Sequence, residues 1–61
     1  MNPITAIINQ GLTLFPIPHK SAEEARNLKI FVTKELEKMG LDNPAERARQ
    51  ELTTYYNRIL E

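Results

Sequence analysis

The 61-residue chain has no cysteine, a single histidine and only two glycines. Without cysteine there can be no disulfide, no thiolate metal site and no cysteine nucleophile. One histidine without cysteine also leaves a structural zinc site short of its usual ligands. Chains this small bury only about 60% of their unfolded surface and usually need a staple of this kind. The expected supports are therefore well-patterned helices or a second chain. An excess of charge is missing too: eight Lys and Arg face eight Asp and Glu. No apolar run approaches the roughly 20 residues of a membrane-spanning helix. The amino terminus lacks the positive region of a signal peptide. The expected setting is the cytoplasm of a bacterial host or a virion.

What is present is unevenly spread. Residues 1–14 carry no charge at all. Residues 20–40 carry five positive and four negative groups, a net +1, and residues 41–61 carry three and four, a net −1. Neither half is the basic patch that binds phosphates by releasing counterions.

The punctuation predicts three helices, at about 3–15, 22–39 and 44–60, within one domain. Asn2 suits an N-cap and Pro3 the first helical position. Ile4, Ile7, Ile8, Leu12 and Phe15 recur at spacings of three and four, forming one stripe. Pro16 ends that helix, because the residue before proline avoids helical backbone. Gly11 inside it costs about 1 kcal/mol relative to alanine. Pro16-Ile17-Pro18 reads as an extended, polyproline-like strut within a linker at 16–20. His19 beside it reads as a solvated residue, or as a pH-sensitive contact with no second group in the sequence to support it.

Ser21 and Glu24 have the spacing of a capping box, so Ser21 is a cap and not a nucleophile. Ala25, Leu28, Val32, Leu36 and Met39 then form the second stripe, with Phe31 widening its flank. Gly40 supplies a left-handed residue after the helix, with Leu41 returning to Leu36 in a Schellman arrangement. Asn43, Pro44 and Glu46 repeat the start signal. Ala45, Ala48, Leu52, Tyr55 and Ile59 make a seam of alternating three and four, with Tyr56 and Leu60 on its edge. The small residues lie near the turn, so the second and third helices approach closely there and diverge at the far end. The first helix, folded across them, is expected to fill that gap. The fold class is thus all-α, a small three-helix arrangement built on a helical hairpin.

Function is expected to be non-enzymatic. Each carboxylate has a place at a cap or on a solvated face, and there is no phosphate loop, no metal cluster and too little chain to enclose a substrate. Catalytic, cofactor and metal sites are accordingly expected to be absent. A protein–protein interaction role remains, as inhibitor or adaptor of a host protein or as a small structural component. The candidate contact residues are Ile4, Ile7, Ile8, Leu12 and Phe15 of the uncharged third, Ile30 on the far side of the second helix, and Tyr55 and Tyr56. Ile30 is either an ordinary exposed apolar residue or a contact for another chain. The tyrosines are either core flanks or an aromatic anchor. Residues 3–15 are expected to dock on apolar surface, either of their own hairpin or of a second copy, with self-association into a homodimer expected. The alternative is a helix-turn-helix-like DNA-binding regulator using Arg47, Arg49 and Arg58 of the third helix, opposed by Glu46 and Glu51 beside them. A membrane-surface role for residues 3–15 is disfavoured by their lack of lysine and arginine.

The opening Met1-Asn2-Pro3-Ile4, the apolar helix closed by Phe15-Pro16-Ile17-Pro18 and the Ala22-Glu23-Glu24-Ala25 start together resemble the amino-terminal part of small bacteriophage lysis-cassette, holin-like proteins. The resemblance implies a phage or mobile-element origin. In that family a charged helix leads into membrane spans. Here residues 41–61 form another amphipathic helix instead, which removes the holin-like activity from the expectation.

Overall fold

In the computed structural model, residues 2–60 are described, with the side chains of Ile59 and Leu60 outside the description. The order is α1 (Pro3–Leu14), α2 (Ala22–Lys38) and α3 (Pro44–Leu60). The expected places of Ile59 and Leu60 along the α3 seam therefore lie outside the described side chains. The helices form an all-α arrangement in which α2 carries both of the others.

Each helix begins where its sequence says it should. The Asn2 side chain accepts the Ile4 N–H at 2.9 Å, which satisfies one of the orphan donors of α1. The helix stops at Leu14, and Phe15 is its C-cap, donating its N–H to Gly11 at 2.8 Å. Ser21 accepts the Glu24 N–H at 3.3 Å. The reciprocal bond differs from the expected capping box: Glu24 reaches back to the Lys20 amide, at 3.0 Å, not to that of Ser21. At the far end Gly40 lies at φ 80, Gly40 donates to Glu37 at 3.0 Å, and Leu41 donates to Leu36 at 3.3 Å. That pair of bonds is the Schellman closure.

Two expectations at the ends need correction. Asn43 is not an extended N-cap: it sits at φ 51, a left-handed conformation that asparagine tolerates, and its carbonyl accepts the Arg47 N–H at 3.0 Å. The segment after α1 is not a straight strut either. It bends at Phe15, at Ile17 and Pro18, and again at Lys20 and Ser21, and the Ile17–Pro18 peptide is cis.

The core lies where the three stripes meet. Leu28, Val32 and Leu36 of α2 are completely buried, as is Ala48 of α3, and Ile4, Ile8 and Leu52 complete the cluster. Ile7, Leu12, Phe15, Phe31, Leu41, Tyr55 and Tyr56 pack around it, partly buried. Three members of the expected stripes fall outside, among them Ala25, which is only half-buried. Met39 is the C-cap of α2 and exposed, and Ala45 is exposed, so the α3 seam starts one turn later at Ala48.

Gly11 explains how α1 comes close. A methyl group on its Cα would stand 2.7 Å from Leu28 Cδ1 and 3.2 Å from Phe31 Cδ1. The glycine that weakens α1 as a helix is therefore the point where α1 settles onto α2.

Candidate interaction surfaces

The eight candidate contact residues divide sharply. Ile4 and Ile8 are spent within the chain's own core, and Ile7, Leu12 and Phe15 are packed against it. The uncharged third thus lies on its own hairpin, which leaves these side chains largely covered. Tyr55 bridges α1 and α3. It lines a groove with Thr5 and Ile8 on one side and a concavity with Leu12 and Ile17 on the other.

Tyr56 has an internal partner. Its hydroxyl lies 2.7 Å from His19 Nε2, and the two rings meet edge to face at a centroid distance of 5.8 Å. His19 is therefore not a solvated linker residue but half-buried, tying the linker to α3. Its Nδ1 is buried without a hydrogen-bond partner. An orphaned lone pair is less costly than an orphaned N–H, so the favoured tautomer places the proton on Nε2, donating to the tyrosine oxygen. Burial pushes the Tyr56 phenol above its usual pKa.

Ile30 alone among the eight stays open. It is 50% exposed on the outer side of α2. It lines an open groove of about 420 Å³ together with Arg26, Lys29, Thr33, Lys34, Glu37 and Ala45. Ala45, in the first turn of α3, is the one residue of the lining from outside α2. A second concavity of about 410 Å³ adjoins it, sharing Lys34 and Glu37 and extending to Lys38. The spacing 26, 29, 30, 33, 34 and 37 places all of these α2 residues on one helical face, a signal present in the sequence. Ala45 joins them only through the turn.

The charges of α3 are arranged differently. The Arg47 Nε donates to Glu51 at 3.0 Å, and the Arg49 guanidinium is held by Glu46, with one bond of 3.2 Å from Nε. Hydrogen bonding from Arg49 is the main influence that holds the Glu46 carboxyl below its ordinary pKa, aided by the charge of Arg49, by Gln50 and by the charge of Lys29. The same bond raises Arg49. Of the three arginines that could have faced a nucleic acid, Arg47 and Arg49 are engaged along their own helix, while Arg58 lines the groove with Thr5, Ile8 and Tyr55.

Among the described residues no helix is long and apolar enough to cross a membrane. The fold and surface together define a small all-α protein with an open groove beside Ile30 on the outer face of α2. No family model, no curated protein and no solved structure matches the chain.

Proposed function

We propose that the chain acts without catalysis, by binding another protein as an inhibitor, adaptor or small structural component. The observation that carries this function is the half-exposed Ile30 beside an open groove, on a helix whose opposite face is fully buried. A side chain as large as isoleucine, set among charges at a concavity, suits an apolar anchor from a partner. Four of the eight carboxylates have structural work that fits a non-enzymatic role: Glu24 caps α2, Glu35 pairs with Lys38, Glu46 with Arg49 and Glu51 with Arg47. The resemblance of the amino-terminal third to phage lysis-cassette proteins supports a bacteriophage or mobile-element setting, in the host cytoplasm or the virion.

Affinity capture from bacterial lysate with the tagged full chain, followed by light scattering of the eluted complex, tests this function. One protein retained at stoichiometric yield, in a complex of defined mass, is the expected result. A chain that retains nothing and stays at 7.0 kDa overturns it. A mass of twice that value for the chain alone would identify the partner as a second copy. Recovery of a single duplex sequence would put a DNA-binding regulator in its place.

A further inference from the structure

We infer that the outer face of α2 is the docking site for an acidic amphipathic segment of a partner protein, with one apolar side chain seated beside Ile30. This deepens the interaction function above and rests on it. Arg26, Lys29 and Lys34 flank Ile30, and among the described residues none of the three is in an ion pair. Glu37 is the one acidic group in the lining, which therefore carries a net positive charge; Glu23 lies on the same helical face beyond the groove, and Glu46, already paired with Arg49, acts on Lys29 from α3. Lys38, at the end of the adjoining concavity, is already balanced by Glu35 at 3.7 Å. From Arg26 to Lys38 the face runs about 18 Å along the helix axis, room for a partner helix of about three turns.

Charge decides between this occupant and a second copy. A two-fold contact centred on Ile30 is self-complementary, so each residue meets its mirror position. With the two α2 helices antiparallel, Arg26 would face Lys34 of the other copy, and Glu37 would face Glu23. With them parallel, each cation would meet itself. Like charges brought together in this way oppose association. A partner bearing Asp or Glu around a leucine-sized anchor meets the cations and the apolar Ile30 and Ala45 at once. Nucleic acid fits less well, because Glu37 interrupts the cationic track and Ile30 stands exposed within it. A bilayer would need a broad apolar face, and here the exposed apolar group is a single isoleucine.

A displayed library of random peptides of about 14 residues, long enough to cover this span as a helix, sorted against the full chain at physiological salt, provides the test. Enriched peptides should carry Asp or Glu around one apolar residue and bind less tightly as salt rises. Ile30→Glu, and separately the pair Arg26→Glu with Lys34→Glu, should each weaken them by about tenfold or more. All three positions are exposed. Circular dichroism confirms that each variant folds, and the charge-reversed pair decides the matter if Ile30→Glu does not. The site is overturned if no peptide is enriched, if enriched peptides show no acidic excess, or if both variants bind them as the parent does. It is also overturned if duplex DNA or phosphatidylserine vesicles bind the chain and Ile30→Glu abolishes that binding. A lysate partner captured equally well by Ile30→Glu would leave the interaction function standing while removing this surface.

Discussion

The uncharged first helix and the charged hairpin are held by different means, although they share one core. In the hairpin, α2 is capped by Ser21 at its start and closed by Gly40 at its end, and α3 is lined with ion pairs. Those surface pairs each contribute little, with a median near 0–1 kcal/mol. What fixes the hairpin is the complete burial of Leu28, Val32, Leu36 and Ala48. In α1 there are no charged side chains, and only one face, through Ile4, Ile8 and Gly11, is buried. A short helix with a central glycine has little stability of its own. The hairpin makes α1 a helix, and α1 in turn covers the hairpin's apolar end. The difference shows that the absence of charge over residues 1–14 marks dependence on the rest of the chain, without any need of a membrane.

The largest expected effect comes from the shared core. Leu36→Ala removes a fully buried side chain and should destabilise by about 2–5 kcal/mol. In so small a protein that is enough to unfold much of the population. A denaturation midpoint left where the parent has it would break the view that α2 is the element on which both neighbours depend. Leu52→Ala should fall in the same range, because Leu52 is 5% exposed and lies in the same cluster.

Gly11→Ala separates the two regions. In an isolated helix the substitution gains about 1 kcal/mol. Here the new methyl would stand 2.7 Å from Leu28 Cδ1, and Leu28 has no exposed surface through which to move aside. Overpacking of this kind costs about 1–3 kcal/mol, so the net expectation is destabilisation by about 1 kcal/mol. Amide exchange should show the loss in α1 before it shows in the middle of α2. A variant more stable than the parent would mean that α1 lies less closely on α2.

Much of this architecture is legible in the sequence because it depends on local chemistry. The Asn2-Pro3 start, the Ser21 cap, the Gly40 closure and the stripes of α1 and α2 all act within one or two turns. What escapes the sequence depends on residues far apart. His19 and Tyr56 are 37 positions apart, and no periodicity links a linker histidine to a helix tyrosine. Gly11 reads as a flaw in α1 until Leu28 and Phe31 are seen against it. Ala45 reads as a seam residue by spacing, yet it lies one turn before Ala48, the first buried residue of the seam, and it lines the Ile30 groove instead. The α2 side of that groove is legible from spacing alone, and its opposite wall is not.

The smallest expected effect lies at the tie between linker and hairpin. Tyr56→Phe removes the hydroxyl that meets His19 at 2.7 Å. It should destabilise by about 1 kcal/mol at neutral pH, the usual net value of such a bond. The pH dependence carries a sign. Burial raises the Tyr56 pKa in the folded chain above its ordinary value of 10.0, so folding favours the protonated phenol. The stabilisation is fully present below pH 10 and is lost as pH rises through the higher folded pKa. The parent should therefore lose its advantage over Tyr56→Phe on passing from pH 8 to above pH 10, when both are unfolded by urea at each pH. The lysines titrate in the same range, but they are common to both proteins and cancel in the difference. An advantage that stays constant, or grows, in alkali would mean that the phenol is as well solvated in the folded chain as in the unfolded one. The linker would then be held by ring packing without the hydroxyl, and the two regions would be joined at the core alone.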